Sequence, residues 1–222
     1  MTLSILLPTR NCTGYSWCYI PTNPPTSTIT TTTTVVAVCG IDTGYACANG
    51  SEVEGYTETG KGLGVPLAPY KNWAKAQGYD FWAYDTDTYG TKASLSNQLV
   101  KDMNAHPEYN YILVGHSAGA DAIALAVNNT DLTAKKILGI VFLDPSVTAR
   151  IKGKDQPITN DFNDIASMGI KVYIADSDKD NIDLGIIPGF TAPFVPFDVP
   201  SHTALADSTD VFSKAIEYLF EN

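Results

Sequence analysis

The stretch Tyr111-Ile112-Leu113-Val114-Gly115-His116-Ser117-Ala118-Gly119 constrains this chain more than any other. Four apolar residues run into Gly-x-Ser-x-Gly, and Ala120-Asp121-Ala122-Ile123-Ala124-Leu125-Ala126-Val127 follows with the composition of a helix. A buried strand, a sharp turn with serine at its apex and a helix form the arrangement that presents a serine as a nucleophile. Ser117 must then hold a strained backbone conformation. Gly115 and Gly119 keep side chains out of the gap where strand and helix nearly touch. The helix N-terminus adds N–H groups and a positive dipole end where an oxyanion would form.

Short apolar runs and amphipathic stretches alternate around this motif. Val35-Val36-Ala37-Val38-Cys39-Gly40, Tyr79 to Tyr84, Lys136 to Leu143 and Lys171 to Ala175 read as buried strands. The aromatics at 79–84 read as core. Residues 67–76 read as a helix stopped at Gly78. Residues 92–104 place Leu95, Leu99, Val100 and Met103 on one face, and Val211 to Phe220 closes the chain as an amphipathic helix. Phe194 to Val199, with Pro196, suits an edge strand. This alternation predicts an α/β fold with a mostly parallel central sheet flanked by helices on both faces. Tyr15 to Ile20 reads as an early strand before a Thr-rich loop, so residues 1–34 form an N-terminal extension of one 1–222 domain. Residues 42–66 read as a long surface loop. Residues 150–169 are polar and show little periodicity. The 144–170 stretch is too short and polar for a large apolar lid, which predicts an open cleft.

Composition narrows the function classes. The chain has 222 residues, enough for one well-cored domain, and a net charge of −10. That charge argues against nucleic acid and anionic membrane surfaces as partners. No apolar run approaches a membrane span. The four cysteines, Cys12, Cys18, Cys39 and Cys47, lack zinc-ligand spacing. They allow two disulfides, Cys12–Cys18 with Cys39–Cys47 being one of the possible pairings. Sequons stand at Asn11, Asn49 and Asn128. Cysteines and sequons together point to a secretory compartment. Met1 to Pro8 lacks the basic start and long apolar core of a complete signal peptide. A monomer is expected.

With Gly-x-Ser-x-Gly after a central strand and a late histidine, the chain resembles the α/β-hydrolase superfamily. It looks most like the bacterial cutinase and PET-hydrolase branch, next to dienelactone hydrolases and chlorophyllases. Tyr19-Ile20-Pro21-Thr22-Asn23 is similar to that branch's Tyr-Tyr-Pro-Thr. Gly78-Tyr79 and Tyr84-Asp85-Thr86-Asp87-Thr88 resemble its Gly-Phe and Asp-Thr-Asn-Thr. Gly115-His116-Ser117-Ala118-Gly119 parallels Gly-His-Ser-Met-Gly, and Ser201-His202 its Ser-His. Three positions depart. Ile41 stands for the aromatic of the oxyanion loop, Ala118 for methionine, and Asp144-Pro145-Ser146 where the branch carries a cleft tryptophan. Asp-Pro at that point looks more like the chlorophyllase side.

The resemblance implies a Ser…Asp…His order. Ser117 is the expected nucleophile and His202, after the last strand, the expected base, rather than His106 or His116. The acid is expected in the run Asp176-Ser177-Asp178-Lys179-Asp180-Asn181-Ile182-Asp183, with Asp180 favoured and Asp178 the alternative. Backbone N–H groups of Ile41 and Ala118 are the expected oxyanion donors. The resulting expectation is a serine carboxylester hydrolase working through an acyl-enzyme on a small or polymeric ester, with neither cofactor nor metal. A thioesterase or lactonase, and a non-catalytic binding protein on the same fold, are the alternatives.

Overall fold

The computed structural model describes residues 31–40, 67–129, 136–151, 154–177, 184–200 and 202–220. The early strand at 15–20, the loop at 42–66, Ile41, Asp178, Asp180 and the cysteines other than Cys39 lie outside them.

Six strands form one parallel sheet: β1 (Thr33–Cys39), β2 (Asp80–Asp85), β3 (Asn110–His116), β4 (Ile137–Leu143), β7 (Val172–Ser177) and β8 (Val195–Phe197). Their order is β2-β1-β3-β4-β7-β8. The intervening β5 (Thr148–Ile151) and β6 (Lys154–Pro157) pair separately as an antiparallel hairpin. The helices are α1 (Ala68–Gln77), α2 (Thr86–Tyr89), α3 (Lys92–Ala105), α4 (Ala118–Asn128), α5 (Thr159–Ser167), α6 (His202–Asp207) and α7 (Thr209–Phe220).

The period-2 geometry of a strand divides the core into two layers. Val36 and Val38 of β1 point into one layer with Leu95, Leu99 and Met103 of α3, Ile123 of α4 and Phe162 of α5. Val35, Ala37 and Cys39 point into the other, with Tyr70 and Ala74 of α1, Leu205 of α6, and Val211 and Leu219 of α7. Buried on both faces, the strands carry continuous apolar runs, as expected of a sheet covered by helices. Trp82 and Tyr84 are core residues, and the Tyr84 hydroxyl donates to Asp102 Oδ2 at 2.8 Å. Among the described residues no helix is long and apolar enough to cross a membrane.

The polar 150–169 stretch holds more structure than its composition announces. α5 buries Phe162 and Ile165 completely, and the Phe162 ring meets Phe142 edge-on at 4.8 Å. Its helical period survives in Ile158, Phe162 and Ile165 alone. The polar residues between them, Asn160, Asp161, Asn163 and Asp164, dilute the pattern.

The chain leaves β1 for β2 on one side and reaches β3 on the other. The strand order therefore reverses between β1 and β3, the kind of switch point beside which open α/β sheets bind their ligands. Ser117 follows the last residue of β3, and Gly40 follows the last residue of β1.

Candidate active site

Ser117 sits in the turn from β3 to α4 with φ 55° and ψ −127°, a conformation that a side-chain-bearing residue rarely adopts. Such strain costs on the order of 1–3 kcal/mol and persists only where the surroundings enforce it. Here the Ser117 N–H donates to the Leu143 carbonyl of β4 at 2.8 Å, and the Ser117 carbonyl accepts from Ala120 at 3.0 Å as α4 begins. The neighbours are small by necessity. A Cβ on Gly119 would collide with the Val38 carbonyl, and one on Gly115 would stand 2.6 Å from Ala120 Cα. A Cβ on Gly40 would lie 2.5 Å from Ser117 Cβ and 3.0 Å from its Oγ. The main chain at the end of β1 is thus the wall beside the serine hydroxyl. That wall is held by the Thr86 hydroxyl, which donates to the Cys39 carbonyl at 2.7 Å. Ala118, the other expected oxyanion donor, opens α4, whose first N–H groups have no partner within the helix. Ile41 lies outside the described residues.

His202 opens α6, and its Nδ1 lies 3.0 Å from Asp144 Oδ2. A carboxylate only accepts, so Nδ1 carries the proton and Nε2 keeps a lone pair. Asp144 is the residue directly after β4. Its φ is 45°, its N–H donates to the Ala175 carbonyl at 2.8 Å, and its side chain is fully buried. The other carboxylate oxygen, Oδ1, accepts from the Ser177 N–H. Both oxygens are therefore engaged and the group is fixed in orientation. The acid expected at Asp180 or Asp178 is on residues outside the described set. Among the described residues the carboxylate on His202 is Asp144, which sequence reasoning passed over. The available signal was topological. β4 neighbours β3, so the residue after β4 ends up beside the turn after β3, and Asp144-Pro145 occupies that place.

His116, set aside as the base, lies against His202. It is buried, its ring centroid is 4.5 Å from that of His202, and its Nε2 donates to the His202 carbonyl at 3.1 Å. Burial, with the neighbouring His202, lowers its pKa from 6.5 to about 4, against the opposing pull of that carbonyl and of Asp144. His116 is thus a neutral prop that carries the backbone of His202. His106 is remote from these groups, packed against Trp82 and Tyr109. Among the described residues no three His, Cys, Asp or Glu side chains gather as a metal set.

The Asn128 sequon is occupied in another way. Asn128 ends α4, half-buried, and its Nδ2, the atom a glycan would take, donates to the Asp161 carbonyl at 2.9 Å.

No protein-family model matches the chain, and no curated protein does. Solved structures do resemble it. The product of lin2722 from Listeria innocua superposes with a TM-score of 0.55 at 11% identity, over 86% of this chain and 95% of that one. A putative hydrolase of the alpha/beta superfamily from Xanthomonas campestris gives 0.51 at 11% identity, over 84% and 99%. Est1E from Butyrivibrio proteoclasticus gives 0.50 at 13% identity, over 85% and 88%. At such identities the likeness is one of fold. The chain has the α/β-hydrolase fold.

Proposed function

We propose that this protein is a serine hydrolase of carboxylic esters, with Ser117 as nucleophile, His202 as general base and Asp144 as the acid that orients it. One observation carries the reading. A serine in a strained strand-to-helix turn after β3 and a hydrogen bond from His202 to the buried Asp144 after neighbouring β4 lie at the same carboxyl edge of the sheet. The lone pair on His202 Nε2 takes the Ser117 proton as Ser117 Oγ bonds to the ester carbonyl carbon. Asp144 stabilises the imidazolium that forms. The Ala118 N–H, and a second donor from the chain beyond Gly40, receive the oxyanion, an effect worth about 3 kcal/mol per donor. Collapse breaks the bond to the alcohol, which leaves with the proton from His202. Water then attacks the acyl-enzyme, and His202 takes and returns the proton in the same way, releasing the acid and Ser117.

The finer reading is a cutinase-like esterase acting in a secretory compartment. Cys39 is disulfide-bonded, which supports an oxidising setting. The absence of a tryptophan at 144–146 favours a small soluble ester over an aromatic polymer.

The test is turnover of p-nitrophenyl esters from acetate to decanoate, with Ser117→Ala beside the wild type. The expected result is loss of turnover in the variant with the fold retained, and rates falling towards the long chains. A folded wild type that turns over none of them, and is not labelled at Ser117 by a fluorophosphonate, would overturn the hydrolase reading in favour of a binding protein.

A further inference from the structure

We infer that the buried Lys92–Asp121 pair is a positioning device for the triad acid: it ties the turn that follows Asp144 to the helix that carries Ser117. The inference rests on the Ser117–His202–Asp144 reading above.

The turn from β4 to β5 is short and strained. Asp144 has φ 45° and Val147 has φ 53°. A β-branched residue in that region is a genuine outlier, and its cost must be offset by its surroundings. Val147 is also 1% exposed, so its side chain is committed to the core while its backbone is held in an unfavourable state.

On its carbonyl side Val147 accepts from the Ile158 N–H at 3.0 Å, and on its N–H side the turn is held by an ion pair. Asp121 Oδ1 accepts from the Val147 N–H at 2.9 Å, and Oδ2 accepts from the Ser146 hydroxyl. Lys92 Nζ lies 2.5 Å from Asp121 Oδ2, 2.6 Å from Ser146 Oγ, and donates to the Thr148 carbonyl. Three consecutive residues, 146 to 148, are thus gripped from one side. The Asp121 side chain is fully buried and that of Lys92 is 13% exposed, so the carboxylate depends on Lys92, Ser146 and Val147 in place of water. Burial pushes the Asp121 carboxyl up, and Lys92, Ser146 and Val147 pull it back.

The position of Asp121 gives the clamp its meaning. It is the fourth residue of α4, and its N–H reaches the Ser117 carbonyl at 3.4 Å. One helical turn therefore carries the nucleophile at its start and the anchor of the acid's loop at its end. The clamp thereby links the chain two to four residues after Asp144 to the helix that starts at Ser117. The close approach of Ser146 Oγ to Lys92 also resembles a Ser–Lys nucleophile pair. However, the hydroxyl proton is given to Asp121, and an ammonium donating to that carboxylate has no lone pair to offer.

Lys92→Met and Asp121→Asn test the inference, with Lys92→Met/Asp121→Leu as an apolar replacement of similar volume. Two quantities are read: kcat and KM on a short p-nitrophenyl ester, and the low-field proton resonance of His202 Nδ1–H against Asp144. The expected outcome is kcat lower by about tenfold or more, KM within about twofold, and a resonance shifted or broadened, as a misplaced acid requires. A merely structural pair would lower the thermal midpoint and leave the folded protein's kcat and resonance as they are, which would overturn the inference. A wild type without Ser117-dependent turnover removes the triad reading and this inference with it. Ser117-dependent turnover that the folded variants keep in full removes the inference alone. Should the charge variants fail to fold, Ser146→Ala decides, since it leaves the ion pair and the Val147 contact in place. A kcat about two- to threefold lower at unchanged KM supports the clamp, and an unchanged kcat overturns it.

Discussion

Asp144 Oδ2 lies 3.0 Å from His202 Nδ1 although the two residues are 58 positions apart in the chain. The hydrogen bond fixes the tautomer, and the tautomer decides whether Nε2 can take a proton. In Asp144→Asn the amide donates where the carboxylate accepted. The imidazole then turns to the form protonated at Nε2, which is useless as a base. The expected loss in kcat is about 10³- to 10⁴-fold with the fold retained. Asp178→Asn and Asp180→Asn are expected to leave kcat at the wild-type level. The three variants, assayed side by side on one ester, locate the acid. A large loss in Asp180→Asn with normal turnover in Asp144→Asn would return that role to the acidic run after β7.

Gly40→Ala tests the wall beside the nucleophile. The new methyl would stand 2.5 Å from Ser117 Cβ, inside any real contact distance, and the Val38-Cys39 main chain behind it is locked by Thr86 and by the packing of Gly119. Either the serine rotates or the β1 end moves, and both displace Oγ from the carbonyl it attacks. The expected outcome is a kcat lower by about 10²-fold and a stability loss of about 1–3 kcal/mol from overpacking. Stopped turnover with a native circular dichroism spectrum would confirm it. A fully active Gly40→Ala would mean that the oxyanion wall is elsewhere.

The sheet and the serine were legible in the sequence because both depend on local pattern. The continuous apolar runs of β1, β3 and β4 report burial on two faces. Ser117 is bracketed by glycines whose missing side chains the packing requires. His202 could be placed by its order after the last strand. The Asp144–His202 hydrogen bond could not be found in this way. Asp144 is a lone carboxylate beside a proline, whereas residues 176–183 offer four, so the sequence drew attention to the acidic run and not to the carboxylate that meets His202 among the described residues. The role of His116 was equally hidden, since adjacency to Ser117 in sequence says nothing about the backbone of residue 202. α5 was missed because three apolar residues in a polar stretch make a weak period. The ion pair of Lys92 and Asp121 spans two helices and has no sequence signature.

Phe162 measures what that overlooked helix contributes. It is fully buried against Phe142, and Phe190 lies 6.1 Å from its ring. Truncation to alanine leaves a cavity between α5 and the sheet that the flanking rings cannot fill. Phe162→Ala is expected to cost about 3–5 kcal/mol in urea denaturation. Because the Phe162 ring meets Phe142 and Phe190 and not Ser117, His202 or Asp144, kcat of the folded fraction is expected to stay near the wild-type value. A loss below about 1 kcal/mol would show that α5 is not an integral part of the core.

His116 gives the fold a pH dependence whose sign follows from its burial. Its pKa falls from 6.5 in the unfolded chain to about 4 in the folded protein. Above 6.5 the imidazole is neutral in both states and contributes no pH dependence. Between 6.5 and about 4 the unfolded chain binds a proton that the folded protein excludes, so stability declines as pH falls through this window and levels off below it. At pH 5 the loss attributable to this one group reaches about 2 kcal/mol. His116→Gln keeps an N–H donor for the His202 carbonyl and cannot titrate. Urea denaturation of both proteins at pH 7.5 and pH 5 isolates the effect, since every other titrating group is common to the pair. The wild type is expected to lose about 2 kcal/mol more than the variant between the two conditions. Equal losses would mean that His116 accepts a proton as readily in the folded protein as in the unfolded chain, and that the prop under His202 is not a neutral one.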